Sequence, residues 1–298
     1  MVLVMDLEIV EDRFNRKQVI NYTLGMLLRQ LPKDRGGDRI FAHARFVAAH
    51  GRPPTNEMMF NDFLHRFKQS AEILNPLRVL TTDKALAKLF VRQIAGDRFV
   101  VPTLAVLNSD RQIDEYEFTP STCIKPTHMS GKVVFPNDGG NVDREELKDW
   151  LRQNYYLYNR EINYMNLIPK IIVEPLLFEN TNLNDYKIFC YRGIPKLIQV
   201  DMDRRAVHAR VYFDPSWTDT LIRLQFPHYE GQIDRPKPLG EMLGLAAKLA
   251  APFELVRIDL FCEGERIYVG EITHCHGGAC EGFPSQNDEI RMSKLIFG

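Results

Sequence analysis

The chain has 298 residues, a formal net charge of −1 and 26% charged residues. This balance gives no basic field that would favour nucleic acid, and no apolar run approaches the roughly 20 residues of a membrane span. The five cysteines are scattered and odd in number, which indicates buried thiols in a reducing compartment rather than a disulfide framework. We therefore expect a cytoplasmic protein without a nucleic-acid partner or a membrane span, and the oligomeric state stays open.

The first 80 residues are predicted to be mainly helical. Apolar residues at helical spacing indicate three amphipathic helices, over residues 14–31, 40–49 and 56–74. Pro32 and Gly36-Gly37 are expected to end the first of them. Thr82 and Asp83 are both candidate N-caps for a further helix.

From residue 99 onward the pattern becomes rich in strands. Strands are predicted over residues 99–107, 122–126, 131–136, 170–177, 186–191 and 195–201. The last two are predicted to form a hairpin through Arg192-Gly193. Helices are predicted over residues 143–154 and 239–250. Because strands and helices mix without a strict βαβ rhythm, the fold class is predicted to be α+β rather than a doubly wound sheet.

The last quarter of the chain predicts a β-hairpin with two acids on one face. Residues 256–261 and 267–273 alternate as strands do, and the connector between them holds a glycine. Arg257 and Asp259 share one face, and Glu271 and Thr273 share a face of the partner strand. Facing carboxylates repel unless a cation lies between them, and Mg²⁺ holding phosphate oxygens suits such a pair. The alternative is a solvated outer face, which is common in antiparallel sheets.

A second candidate is Lys125, which ends an apolar strand just before the loop Ser130-Gly131. The lysine offers a compact positive charge, and a small polar loop can turn backbone N–H groups toward an anion. The pattern is not a P-loop, because the glycine and lysine spacing differs. The alternative is a surface turn with a lysine whose stem lies along apolar surface.

Two further segments carry charge on strands. Glu174 follows a very apolar run, and its carboxylate could accept a hydrogen bond from an adenine amino group while the adjoining backbone reads the ring edge; it could equally face water. Asp185 and Lys187 share a strand face, which suits a ribose hydroxyl and a phosphate. The alternative for that pair is a local ion pair worth about 0–1 kcal/mol.

Two charged or metal-like clusters complete the candidates. Arg204, Arg205, His208 and Arg210 could hold a transferred phosphoryl group or an anionic substrate, or form a solvated face. The run from His274 to Cys280 matches no standard zinc spacing. Its Gly277-Gly278 pair instead suggests close approach of backbone to a substrate or phosphate.

The order of these motifs resembles the ATP-grasp superfamily. The resemblance rests on Asp83-Lys84, Lys125 with its Ser-Gly loop, Glu174-Pro175-Leu176, Asp185-x-Lys187, Arg257-x-Asp259 and Glu271-x-Thr273. More narrowly the chain resembles the TupA-like branch, named for teichuronopeptide biosynthesis, over about residues 50–285. That match rests on residues 186–193, 201–204, 212–217, 257–261 and 270–273.

The resemblance implies an ATP-grasp fold, in which two α+β subdomains clasp ATP, after a short helical N-terminal segment. The implied divisions are residues 1–80, a lid subdomain over 81–170, and a C-terminal subdomain with the metal site over 171–298. ATP and Mg²⁺ are the implied cofactors. The implied roles of Lys84 and Lys125 are to bind the α- and β-phosphates of ATP, and the loop 127–132, with Ser130 and Gly131, would close over them as a lid. Glu174, Pro175 and Leu176 would contact adenine, and Asp185 would contact ribose. Asp259 and Glu271 would hold Mg²⁺, joined by Thr273 where most of these ligases have Asn.

The resemblance also implies an ADP-forming carboxylate–amine ligase that works through an acyl phosphate. Arg257 and Arg210 are expected on the transferred phosphoryl group and the acyl phosphate, and Arg204 and His208 toward the substrate. The expected partners are a small-molecule or glycan-linked carboxylate and an amine, in polysaccharide or peptide-conjugate biosynthesis. Two alternatives stay open: a kinase of the same fold that phosphorylates a sugar or other small-molecule hydroxyl, and a non-catalytic nucleotide-binding protein.

Overall fold

A computed structural model describes residue 25 and residues 27–136, 139–177, 185–202 and 209–298. The fold is mixed α+β and contains two antiparallel sheets, which confirms the predicted class. The helix predicted over residues 14–31 lies mostly outside the described residues. All five cysteines are free thiols. Among the described residues no helix is both long and apolar enough to cross a membrane.

The N-terminal part is helical, as predicted. It contains α1 (Arg35–His50), α2 (Phe60–Phe67), a 3₁₀ turn (Ala71–Leu74), α3 (Pro76–Thr82) and α4 (Lys84–Ala95). Helix α1 begins earlier than expected because the Asp34 carboxylate accepts a hydrogen bond from the Gly37 backbone N at 2.8 Å and caps it. Gly36 and Gly37 were predicted to end the preceding helix, and this is wrong: they lie in the first turn of α1. The helix predicted over 56–74 is also interrupted, since α2 ends at Phe67.

A small sheet follows, with α5 (Asp110–Glu115), α6 (Arg144–Arg152) and α7 (Tyr156–Asn159) nearby in the chain. Its strands are β1 (Ala105–Leu107), β2 (Thr122–Pro126) and β3 (Ile171–Pro175), in the order β1–β3–β2. The strand predicted over 99–107 is largely wrong, because Asp97–Phe99 form a 3₁₀ turn and Pro102 has no N–H to donate. The strand predicted over 131–136 contributes one bridge, Val134 with Ile124.

The large sheet has five antiparallel strands in the order β6–β5–β4–β7–β8. They are β4 (Asp185–Tyr191), β5 (Ile194–Met202), β6 (Ala209–Phe213), β7 (Leu255–Glu263) and β8 (Arg266–Thr273). The predicted hairpin between β4 and β5 is confirmed, and both residues of its turn have positive φ, 50° at Arg192 and 74° at Gly193. Helix α8 (Leu239–Ala250) has the predicted bounds.

The two faces of the large sheet differ in character. One face is apolar and packs under α8, with Ile188, Val200 and Ile258 in its core. The other face is apolar at one end, where Phe189 packs in a cluster with residues of α2 and of α9 (Gln286–Phe297). The remainder of this second face carries buried charged residues. Helices therefore cover the first face of the sheet and one end of the second face.

A β-bulge at Gly270 sets which side chains of β8 reach the polar face. Leu260 pairs with Val269 and Asp259 pairs with Glu271, so Gly270 has no partner on β7. Val269 therefore joins the apolar core, whereas Glu271, two residues later, faces the other way beside Asp259. A Cβ on Gly270 would lie 2.7 Å from Phe261 Cε2, which favours glycine at the bulge.

Candidate active site

A row of polar side chains crosses the large sheet at one level. Residues paired directly across neighbouring strands point to the same face. The pairing aligns Tyr212 of β6, Gln199 of β5, Lys187 of β4, Asp259 of β7 and Glu271 of β8. The strands thus bring a lysine and two carboxylates side by side.

The predicted convergence of Asp259 and Glu271 is observed, and the cation between them is Arg257. Its Nε lies 2.6 Å from Asp259 Oδ1 and its Nη2 lies 2.6 Å from Oδ2. The same Nη2 lies 3.4 Å from Glu271 Oε1 and donates to Thr273 Oγ1 at 3.1 Å. The Thr273 hydroxyl in turn donates to Glu271 Oε1 at 3.3 Å. All four predicted residues therefore form one connected group.

The two carboxyl groups differ in their electrostatics. Burial raises the pKa of Asp259, against the opposing effect of Arg257 and Lys187. Burial alone would also raise the pKa of Glu271, but Lys84, Arg257 and Lys187 together lower it to about 2. Glu271 is consequently an anion at neutral pH.

The donor set suits Mg²⁺ that is shared with phosphates. Asp259, Glu271 and Thr273 offer hard oxygen atoms, and Mg²⁺ typically takes one or two carboxylates together with substrate phosphates. Among the described residues no group of three or more His, Cys, Asp or Glu could hold a metal by itself.

Lys187 ties the neighbouring acids of the sheet together. Its Nζ contacts Asp185 Oδ2, lies 3.0 Å from Asp201 Oδ2 and lies 4.0 Å from Asp259 Oδ2. Asp185 and Lys187 thus share a face as predicted. Asp201 also accepts a hydrogen bond from Arg210 Nε at 2.7 Å, so the acids of β4, β5 and β7 are held by the basic residues of β4, β6 and β7.

A relay behind the site connects Arg210 with Arg257. Arg210 Nη1 donates to Glu281 Oε2 at 2.6 Å, and His276 Nε2 lies 2.9 Å from the same oxygen. His276 Nδ1 contacts Arg257 Nη1. Because a guanidinium can only donate, Nδ1 accepts and the Nε2–H donates to Glu281. Sequence reasoning missed His276 and Glu281, and the predicted Arg204 and His208 lie outside the described residues.

Glu174 is held by two lysines. Lys125 Nζ lies 2.6 Å from Oε2, and Lys88 Nζ lies 2.6 Å from Oε1. Burial would raise the pKa of Glu174, but the two lysines lower it. Lys88 was missed, although it lies four residues after Lys84 and therefore on the same face of α4. Leu176, expected at the adenine edge with Pro175, donates its backbone N–H to Ser121 O at 2.8 Å.

Lys84 links the loop after β2 with Glu271. It is the first residue of α4, which Asp83 caps through hydrogen bonds to the Ala85 and Leu86 backbone N, as expected. Its Nζ donates to Met129 O at 2.6 Å and lies 3.6 Å from Glu271 Oε2. Ser130 and Gly131 follow directly, with Gly131 at φ 77°, so the predicted phosphate loop starts beside this lysine.

We expect Asp83→Ala to lower the free energy of unfolding by roughly 2–4 kcal/mol. The change removes the cap of α4 and also the Asp83 Oδ2 contacts with Thr127 Oγ1 at 3.0 Å and Lys170 Nζ at 2.8 Å. Urea unfolding measures the loss. The matched control is Asp143→Ala, since Asp143 caps α6 from an exposed position and should cost about 1 kcal/mol. Equal losses would contradict the assigned contacts.

Comparisons with known proteins give the following matches. A family model described as TupA-like ATPgrasp matches residues 65–295, more than three quarters of the chain. Among curated proteins no match is found.

Three solved structures are similar at low identity. The ATP-grasp ligase PsnB with a minimal precursor has 12% identity and a TM-score of 0.36, covering 66% of this chain and 53% of that one. D-Alanine-D-alanine ligase from Helicobacter pylori has 15% identity and a TM-score of 0.37, covering 74% and 62%. L-Amino acid ligase from Bacillus licheniformis has 15% identity and a TM-score of 0.42, covering 71% and 48%. The chain thus spans about half to three fifths of the length of these structures.

Proposed function

The chain belongs to the TupA-like ATP-grasp family, and from this membership we propose that it is an ADP-forming carboxylate–amine ligase that works through an acyl phosphate. Membership of the family implies ATP and Mg²⁺ as cofactors. The observation that carries the proposal is the row of Lys187, Asp259 and Glu271 on the polar face of the large sheet. Lys84 joins this row to the loop at Met129–Gly131.

In this proposal Lys84 and Lys125 bind the phosphates of ATP, and Ser130 and Gly131 cover them. Asp259, Glu271 and Thr273 hold Mg²⁺, which when bound neutralises phosphate charge. Arg257 already touches both carboxylates, so its fork is placed to meet the oxygens of the transferred phosphoryl group. Its hydrogen bond with His276 fixes the direction of that fork.

The proposed roles at the nucleoside end are adjusted by the ion pairs. Both carboxylate oxygens of Glu174 form ion pairs, one with Lys125 and one with Lys88. These ion pairs favour a positioning role for Glu174 over the expected contact with adenine. The backbone carbonyl groups of Pro175 and Leu176 remain the proposed adenine edge, because Pro175 has no N–H and the Leu176 N–H donates to Ser121 O. Asp185 remains the proposed ribose contact. Strand β3 pairs with β1 and β2. We therefore propose that β3 belongs to the lid subdomain, so that the boundary between the two subdomains lies just after β3 rather than at residue 170.

The proposal extends to the class of acid substrate and to the biosynthetic process. We propose that the acid is a small-molecule or glycan-linked carboxylate and that the product belongs to polysaccharide or peptide-conjugate biosynthesis. The test is a screen of amino acids and sugar acids with ATP, Mg²⁺ and hydroxylamine, which traps acyl phosphates as hydroxamates. We expect a hydroxamate and ADP from the correct acid. A stable phosphate ester that resists hydroxylamine would instead favour the kinase alternative.

ATP with Mg²⁺ should stabilise the folded protein, and EDTA should remove most of that effect. Binding to the folded state alone adds about 2.7 kcal/mol at 100 times the dissociation constant. The removal by EDTA follows from the Asp259 and Glu271 pair, whose charges repel the phosphates unless a metal lies between. A thermal-shift titration measures the change in Tm. A Tm that does not respond to ATP would argue strongly against a nucleotide site.

A further inference from the structure

Glu161 is a buried carboxylate without an ion-pair partner among the described residues. It lies between α7 and the 3₁₀ turn Ile162–Tyr164 and is 6% exposed. Within the described part of the chain, its carboxylate forms no ion pair within 4.0 Å and accepts no hydrogen bond. The other buried acids there each have a basic partner; Glu289, also 6% exposed, receives both of its hydrogen bonds from Arg52. Burying an unpaired charge is costly, so Glu161 calls for a functional explanation.

The Glu161 carboxylate faces the glycine turn that follows β8. A Cβ built on Gly278 would lie 3.5 Å from Glu161 Oε1, and no other atom of the described residues beyond its chain neighbours lies within 4 Å of it. Lys68 holds the same turn by donating from Nζ to Gly278 O at 2.8 Å. Lys68 is itself 3% exposed, and its charge offsets Glu161 from beyond ion-pair distance. Among the described residues, Glu161 and the chain neighbours of Gly278 are therefore the only groups that border the position that a Cβ on Gly278 would occupy.

The phenols of two tyrosines are influenced by the charges of both Glu161 and Glu271. The rings of Tyr155 and Tyr164 lie with centroids 4.7 Å apart. Burial raises the pKa of both phenols, and the charges of Glu161 and Glu271 raise them further. Both phenols are consequently within electrostatic range of Glu161 and of Glu271.

We propose that Glu161 binds the ammonium group of the amine substrate beside the Gly277-Gly278 turn, an inference that rests on the proposed ligase function. A buried carboxylate without an ion-pair partner among the described residues, beside a turn whose His276 contacts Arg257 of the candidate site, suits a positively charged acceptor. A hydroxyl acceptor would leave the charge uncompensated. Glu161 thus selects an amine as the acceptor.

The pKa of Glu161 agrees with this role. Burial raises the pKa of Glu161 to about 7, with Lys68 opposing the rise. Such a shift marks a carboxylate whose neighbours do not supply enough positive charge. A bound ammonium would supply it.

The first test measures amine binding without catalysis. Ethylammonium chloride and glycinamide hydrochloride are titrated, in the presence of ATP and Mg²⁺, against KCl at equal ionic strength, and Tm is followed. We expect the two amines to raise the Tm of wild type and of the control Glu289→Gln. The baseline Tm of this control is lower because Arg52 keeps only Asp62 of its two acidic partners. Glu161→Gln should lose this rise. Glu161→Asp, which keeps the charge, is the second variant and should retain part of it.

The second test separates the amine step from acyl phosphate formation. With an acid that yields a hydroxamate, Glu161→Gln should still form hydroxamate from hydroxylamine, which is largely uncharged near neutral pH. Its KM for the amine should rise about ten- to a hundredfold, while the KM for ATP stays unchanged. An amine response equal to wild type, or a wild type that responds to neither amine, overturns the assignment of Glu161. A wild type that forms no hydroxamate contradicts the ligase proposal instead.

Discussion

Glu271→Gln is expected to reduce ATP turnover on the order of a thousandfold while the protein stays folded. Charge stabilisation by a bound metal contributes several kcal/mol to such reactions, and each 1.36 kcal/mol is a factor of ten in rate. Glu271 is ionised at neutral pH because its pKa is lowered to about 2. Glutamine keeps the shape of the side chain and its contact with Thr273 but removes the charge that the metal needs.

The matched control is Glu263→Gln on the same hairpin. Glu263 ends β7 away from the site, and its partner is Arg266. The same loss of one charge there should leave turnover within about twofold, since exposed ion pairs contribute only 0–1 kcal/mol. Circular dichroism confirms folding of both variants. Near-normal ATP turnover in Glu271→Gln would show that the hairpin does not hold the metal.

The hairpin could be predicted from the sequence because its signals are local. Alternation over residues 256–261 and a glycine in the connector are read within a few residues, and period 2 then puts Arg257 and Asp259 on one face. The bulge at Gly270 could not be predicted from alternation. Strict alternation from Ile267 would put Val269 and Glu271 on the same face, whereas Gly270 moves them to opposite faces. Only the glycine hints at this in the sequence.

The ion pairs of Glu174 could not be predicted, because they join distant parts of the chain. Glu174 of β3 meets Lys88 of α4 and Lys125 of β2, and no local pattern states which lysine reaches which acid. The burial of Glu161 is harder still to predict from the sequence. Its burial follows from the packing of short irregular elements, which carry no periodicity, and sequence analysis passed over it.

The apolar run at 99–101 shows why one strand prediction was wrong. Phe99, Val100 and Val101 are buried, as their composition suggests, but burial does not require a strand. Val100 makes a single parallel bridge with Val269, and the 3₁₀ turn before it and the proline after it prevent a longer ladder. Apolar composition therefore predicted the environment of these residues correctly and their backbone wrongly.

Lys125→Ala is expected to weaken ATP binding far more than Lys132→Ala. Lys125 is fixed on β2, with its Nζ held 2.6 Å from Glu174 Oε2, so its charge is placed before ATP arrives. Lys132 follows the loop glycine and is exposed. Hydrogen bonds to charged groups contribute about 1.5–3 kcal/mol, which is roughly a ten- to hundredfold rise in Kd. For Lys132 we expect a change below about threefold, in line with exposed charges.

Isothermal titration with ATP and Mg²⁺ measures both variants, and the fold of Lys125→Ala should survive the change. Glu174 keeps Lys88 as a partner at 2.6 Å, so removing Lys125 does not leave a buried carboxylate without a cation, the situation that costs most. A large loss of affinity in Lys125→Ala can then be assigned to the phosphates rather than to unfolding. Equal losses in the two variants would mean that Lys125 does not bind the phosphates. Lys84 would then be the remaining candidate, because its Nζ already contacts both Met129 O and Glu271.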